Sequence, residues 1–275
     1  MIPKIIHYCW FGGKPLPELA QKCISSWKKY CPDYEIKEWN ESNFDLNSCD
    51  YVREAYEAKK WAFITDYVRL YAMVTEGGIY MDTDVEVIKT LDPFLCHKAF
   101  SGFEDEVSIP TGIMACEKNF PLFTKLLEDY DNRHFILQDG KFDLTTNVVT
   151  ITNLCKKYGF IGDDSRQDIC GFILYPHDVF CPKSHVTGII SLTNRTVTIH
   201  HFSGSWKNKE AKISIQIKRK LDNKGPAFHI IAKVVAFPFT YSDRAKNEGV
   251  GKATHYYIRK IVKKIIIQKR GRNHI

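Results

Sequence analysis

The sequence has no Cys-x-x-Cys pair among its nine cysteines and no apolar run near the roughly 20 residues that a membrane span requires. The first absence argues against a thiolate zinc site, and the odd count argues against a disulfide framework. Reduced thiols in a cytosol are the expectation, with Cys9 and Cys116, both in apolar runs, read as small core residues. No charged segment and apolar stretch precede Ile2, so no signal peptide is expected. Acidic residues are scarce in one region only. Residues 207–275 hold 18 Lys/Arg against 4 Asp/Glu, a balance of +14, while residues 1–206 hold 21 against 28, a balance of −7. A basic tail therefore follows an acidic body, and no nucleic-acid-binding motif accompanies the tail.

What is present is organised around Trp61–Val87, WAFITDYVRLYAMVTEGGIYMDTDVEV. Phe63, Tyr67, Leu70, Tyr71 and Val74 recur at three- and four-residue steps, which makes one buried helical stripe. Gly77-Gly78 stops that helix, because glycine takes the left-handed cap without steric cost. Ile79-Tyr80-Met81 then reads as a short strand delivering Asp82-Thr83-Asp84 at its end. Alternation along a strand would turn both carboxylates to one side, about 7 Å apart. A divalent cation bridging to a phosphate would satisfy such a pair, since hard cations prefer these oxygens. Solvated loop carboxylates are the plain alternative. Asp66 and Arg69 lie three apart on the helix and share a face in apolar surroundings. They need either each other or a ligand.

On either side the chain alternates strands and helices. Ile2–Cys9 reads as a buried strand running into the turn Trp10-Phe11-Gly12-Gly13, the kind of strand end where open α/β sheets place ligands. An amphipathic helix over Leu16–Tyr30, a strand over Tyr34–Trp39 and a helix over Tyr51–Lys60 follow. Beyond the Asp-x-Asp, strands are expected over Ala99–Phe103 and Thr111–Cys116, with a helix over Pro121–Tyr130. Thr145 or Thr146 suits a helix cap. Thr196–His201 reads as a strand ending in two histidines, which are either ligands or satisfied strand-end residues.

Four pieces occur in one order: IPKIIHYCWFGG at 2–13, DYVR at 66–69, GGIYMDTD at 77–84 and, more weakly, HHFSGSW at 200–206. Together they resemble the DXD-containing glycosyltransferases related to yeast initiating mannosyltransferases and bacterial capsule enzymes (glycosyltransferase family 32). More distantly they resemble the catalytic domain of large clostridial glucosylating toxins. The resemblance implies an α/β GT-A nucleotide-sugar-binding fold, a single mixed sheet flanked by helices over residues 1–206, with a basic helical extension over 207–275. It implies a hexosyltransferase that moves a sugar, with retention of configuration, from a UDP- or GDP-sugar to a hydroxyl of a glycan or lipid-linked glycan. Bacterial surface polysaccharide synthesis is the implied setting. Trp10 would stack on the base, Gly12 would let backbone approach the nucleotide, and Tyr80 would touch phosphate or ribose. Asn147 would face the donor, and Ser205 and Trp206 would close over the phosphates. Asp66 and Arg69 would grip the sugar hydroxyls, while Asp82, Asp84 and His201 would hold Mn2+ or Mg2+. A neutral imidazole beside two carboxylates suits Mn2+. Relatives carry a Gly-Pro near the segment corresponding to 143–148, and this sequence has none.

In the tail, Phe228–Phe239 is a mostly apolar run interrupted by Lys233, too short to span a bilayer. Thr254–Arg270 is helical in pattern, with Ile258, Ile261, Val262, Ile265 and Ile266 opposite Arg259, Lys260, Lys263, Lys264 and Lys269. A basic amphipathic helix reads as an interfacial element on anionic lipid. The expectation is a cytoplasmic protein, peripheral at the inner face of the cell membrane, with no nucleic-acid partner. A helix docked on the body and a polyanion-binding arm are the rivals. Two other functions fit the carboxylates less well: a metal-independent two-carboxylate glycoside hydrolase, or a non-catalytic, membrane-tethered nucleotide or glycan binder.

Overall fold

The computed structural model describes residues 1–259 apart from 106, 205, 206, 223, 226 and 227. Two compact units are present: Met1–Ser184 with Ile189–Ser203, and His185–Gly188 with the chain from Gly204 onward.

The first unit is built in the order β1 (Ile5–Cys9), α1 (Glu18–Tyr30), β2 (Glu35–Trp39), α2 (Asp50–Glu57), α3 (Trp61–Thr75), β3 (Gly78–Met81) and β4 (Val85–Val87). It continues through β5 (Ala99–Gly102), β6 (Ile113–Cys116), α4 (Pro121–Glu128), α5 (Asn147–Lys157), β7 (Gln167–Ile169), β8 (Phe172–Tyr175), α6 (His177–Phe180) and β9 (Thr198–His200). Seven strands form one mixed sheet in the order β2-β1-β3-β6-β5-β8-β7, and β4 and β9 form a separate antiparallel pair. The expected mixed α/β sheet flanked by helices is what the chain adopts.

Side chains alternate across the sheet and feed two apolar layers. Cys9, Tyr80 and Met114 face a cluster shared with α2, α3, α4 and α5. Ile6, Ile79, Met81 and Ile113 face the other cluster, shared with α1, β4 and α6. β1 and β3 run parallel, pairing Ile6 with Ile79 and His7 with Tyr80. This contact requires glycine at position 78: a Cβ there would lie 2.7 Å from the Ile5 carbonyl oxygen, and the backbone φ is +102°. Helix boundaries follow local chemistry. Pro17, extended at φ −61° and ψ 157°, caps α1 and starts it two residues later than the apolar pattern suggests.

One expectation is corrected at the centre of the fold. The strand ends at Met81, so Asp82, Thr83 and Asp84 lie in a tight turn between β3 and β4, closed by Val85 N–H donating to the Asp82 carbonyl at 3.0 Å. Turn geometry, rather than strand alternation, aims the two carboxylates.

The second unit pairs α7 (Lys209–Asp222) with α8 (His229–Glu248), followed by helix over residues 250–259. Ser214 on α7 and Ala232 and Ala236 on α8 are buried. Asn208 donates to Asp243 at 2.7 Å, and Lys246 pairs with Glu210 at 2.5 Å. Of the helix expected over 254–270, residues 260–270 lie outside the described residues. Among the described residues, no helix is long and apolar enough to cross a membrane.

Candidate active site

Strands β1, β3, β5 and β8 present their carboxyl ends at one edge of the sheet, where open α/β sheets bind ligands. Trp10 follows β1 and Asp82 follows β3 at that edge. The antiparallel β6 begins there, and Asp82 N–H donates to the Gly112 carbonyl at 2.8 Å just ahead of it. The short β4–β9 pair then folds over the turn. Its register sets Val85 opposite His200, which brings the His200 Nε2 to 3.3 Å from Asp84 Oδ1 and 4.0 Å from Asp82 Oδ2. One ligand atom from each of Asp82, Asp84 and His200 lies within 4.8 Å of the others. Two carboxylate oxygens and an imidazole nitrogen form a donor set that fits Mn2+ or Mg2+, the nitrogen favouring Mn2+.

His200, not His201, is the histidine at this cluster. Neighbouring residues turn opposite ways, so His201 points outward and its Nε2 meets Glu86 Oε2 at 2.8 Å, with Lys22 on the far side of that carboxylate. The backbone of His201 still serves the turn, donating its N–H to the Asp84 carbonyl at 2.9 Å.

The cluster is electrostatically poised. Burial raises the cost of charge on Asp84, but the His200 imidazole and the Ser203 N–H, 2.7 Å away, outweigh it and hold the carboxyl well below the usual range. Burial likewise opposes charge on His200, and the Asp84 carboxylate reverses that, so its proton is held well above neutrality. Gly112 gives the imidazole its room: a Cβ there would lie 2.6 Å from His200 Cε1, 2.7 Å from Nδ1 and 3.3 Å from Asp82 Oδ2.

Residues 17–101, from the start of α1 into β5, match the glycosyltransferase sugar-binding region containing the DXD motif. The matched stretch takes in α3 and the Asp82-Thr83-Asp84 turn. Inositol phosphoceramide mannosyltransferase 3 of Schizosaccharomyces pombe is 30% identical over 146 residues, 49% of this chain and 40% of that protein. Mannosyl phosphorylinositol ceramide synthase SUR1 of Saccharomyces cerevisiae is 27% identical over 147 residues, 50% of this chain and 37% of that protein. The chain thus spans less than half the length of these two curated relatives. Among solved structures, the PaToxG glycosyltransferase superposes with a TM-score of 0.40 at 22% identity, covering 46% of this chain and 59% of that one.

Within the matched stretch, α3 supplies a second pair of side chains next to the DXD turn. Arg69 is buried, and its Nη2 lies 3.4 Å from both Asp66 Oδ1 and Asp82 Oδ1. Its Nη1 donates to the Thr111 carbonyl at 2.6 Å, and the guanidinium lies 4.7 Å from the Tyr80 ring centre. The internal pairing and the link to Asp82 therefore coexist in one residue. Burial opposes the guanidinium charge, and Tyr80, Asp82 and Asp66 more than restore it. Asp66 is pushed up to about 6 by burial, against the pull of Arg69.

Asn147 opens α5 and pins Asp66. Its backbone N–H donates to Asp66 Oδ2 at 3.1 Å, and its side-chain amide donates to the Asp66 carbonyl at 2.5 Å. Tyr130 fixes the amide in turn, donating to Asn147 Oδ1 at 2.7 Å. The Tyr80 hydroxyl donates to Asp82 Oδ1 at 2.8 Å, so it orients the DXD carboxylate. Trp10 is half-buried with its indole N–H on the Lys14 carbonyl. Gly12 makes a close approach to the Trp61 indole, where an added Cβ would come within 2.9 Å, and its N–H donates to Glu41 at 2.6 Å. Ser205 and Trp206 lie outside the described residues.

Sequence reasoning missed Gly112, Ser203, Thr111 and Tyr130. Each acts through backbone, or through a partner more than ten positions away; Ser203 lies within the HHFSGSW piece, and no local motif marks the other three.

Proposed function

We propose that this protein is a hexosyltransferase of GT-A type. It moves a sugar, with retention, from a UDP- or GDP-sugar to a hydroxyl of a glycan or lipid-linked glycan in surface-polysaccharide assembly. The observation that carries this reading is the convergence of Asp82, Asp84 and His200 at the carboxyl edge of the sheet, braced by Arg69. One yeast relative is named an inositol phosphoceramide mannosyltransferase and the other a mannosyl phosphorylinositol ceramide synthase, which makes mannose the first sugar to test.

Asp84 and His200, with Asp82 beside them, would hold Mn2+ or Mg2+. That ion supplies positive charge where the diphosphate departs. Arg69 keeps the Asp66 and Asp82 carboxylates in place, and Tyr80 fixes the rotamer of Asp82. Asp66, held by Asn147 and Arg69, accepts from donor-sugar hydroxyls. Trp10 offers an aromatic face to the base at the neighbouring strand end. Ser205 and Trp206 are assigned to the diphosphate. Transfer follows a front-face route: the anomeric carbon–oxygen bond to phosphate breaks while the acceptor oxygen bonds to the same face. The acceptor proton passes to the departing phosphate oxygen. The basic tail holds the protein at an anionic membrane, on its cytoplasmic face, where a lipid-linked acceptor is within reach.

A screen of nucleotide-sugars tests this reading. One donor should release its nucleoside diphosphate with Mn2+ or Mg2+ and none should do so with EDTA, and the glycoside formed should keep the donor's anomeric configuration. Chelator-insensitive turnover would remove the metal from the account, and an inverted product would remove the front-face route.

A further inference from the structure

The surface of α8 carries a second apolar face that the second unit does not bury. Ala232 and Ala236 turn inward, with Phe239, Thr240 and Asp243 partly buried on the same side. At 100° per residue, Val234 and Pro238 lie on the opposite side, with Ile231 and Val235 on the flank next to them. Ile231 is 48% exposed, Val234 67% and Val235 47%, and Pro238 is exposed beside them. Phe237 and Tyr241, at one border of this stripe, contact Tyr257 of the following helix, with ring centres 5.0 and 5.9 Å away, and Phe237 stays 45% exposed. Among the described residues the stripe itself is exposed. Phe228 extends it toward the helix start, and Val250 and Ile258 add exposed apolar surface on the following helix.

Cations rim this surface. Lys233 and Arg244 project from one flank of α8 and Lys246 from the other, and Lys252 and Arg259 are exposed on the following helix. The region 207–275 holds 18 basic and 4 acidic residues. An apolar stripe with a cationic rim on a helix that cannot span is the pattern of a helix lying in the headgroup–acyl boundary.

We infer that the outer stripe of α8, centred on Ile231, Val234 and Val235, is the element that inserts into an anionic bilayer, with the exposed Lys233 and Lys252 meeting lipid phosphates. This rests on the membrane reading given above. It adds α8 as an inserting surface beside the 254–270 helix expected from sequence, of which residues 260–270 lie outside the described residues.

Flotation of the full chain with phosphatidylcholine vesicles, with and without about one-third phosphatidylglycerol, tests it. The wild-type protein should float only with the anionic vesicles, and Val234→Glu/Val235→Glu should lower its partitioning about tenfold or more while leaving donor hydrolysis in solution unchanged. Equal flotation of both proteins overturns the assignment to α8 and leaves the membrane reading standing. No flotation of the wild type removes the membrane reading and α8 with it. A dimeric wild type made monomeric by the double substitution, with unchanged flotation, assigns the stripe to a second copy of the chain and overturns the inference. Ile231→Trp gives a readout that needs no destabilising charge. Its emission should shift to the blue with anionic vesicles and be quenched by brominated acyl chains, and an unchanged spectrum overturns the inference.

Discussion

Replacing Asp84 by alanine should reduce metal-dependent sugar transfer by about three orders of magnitude or more, about 4 kcal/mol of barrier. Three contacts depend on this side chain. It faces the His200 Nε2 at 3.3 Å, it accepts the Ser203 N–H at 2.7 Å, and it offers one of three ligand atoms to the cation. Its loss leaves a buried imidazole without its counter-charge, so some loss of thermal stability should accompany the loss of turnover. Asp84→Asn separates the two effects. The amide keeps the shape and an acceptor oxygen for the Ser203 N–H but not the counter-charge to His200, so the protein should melt between the alanine variant and the wild type while activity stays as low as in the alanine variant. Steady-state kinetics across a Mn2+ titration, with melting curves alongside, reads both outcomes. Wild-type turnover in either variant would contradict the role assigned to Asp84.

Gly112→Ala should be nearly as damaging although the residue bears no functional group. The added methyl would sit 2.6 Å from His200 Cε1, a distance that real Cβ contacts do not tolerate, and a tight 3.3 Å from Asp82 Oδ2. The imidazole must move, because the backbone beneath it is tied by the Asp82 N–H to Gly112 carbonyl bond at 2.8 Å. A displaced ligand costs about 10- to 100-fold in metal affinity. The backbone at 112 is not in the left-handed region that favours glycine, so alanine carries no conformational strain of its own. The expected result is a folded protein with weak Mn2+ binding by calorimetry and about hundredfold lower kcat/KM. Unchanged Mn2+ affinity would show that His200 does not serve the cation.

These two residues also mark where the sequence is legible and where it is not. Asp82 and Asp84 stand out because they follow a glycine-ended helix and a short apolar strand, a local pattern. Asp66 and Arg69 stand out because charge on an apolar helix face demands a partner, and the structure shows both the pairing and the reach to Asp82. The strand–helix order and the mixed sheet follow from hydrophobic periodicity and glycine placement. The choice between His200 and His201 does not. It is set by the register of two three-residue strands, Val85 opposite His200, and one step of slip would exchange the two rings. Gly112 is invisible because its role is an absent side chain. Asn147 meets Asp66 across 81 positions of sequence, held by Tyr130, which no spacing rule anticipates. The expected strand alternation of Asp82 and Asp84 gives way to a turn because the Asp82 carbonyl bonds the Val85 N–H.

The most direct test of a cation held at the DXD turn is anomalous diffraction at the manganese edge, from crystals grown with Mn2+ and a nucleoside diphosphate. The account predicts a single strong peak within bonding distance of Asp84 and His200, with Asp82 facing it directly or through water and the diphosphate oxygens completing the shell. A nucleotide seated at the sheet edge with no peak there, or with manganese bound elsewhere, would contradict it.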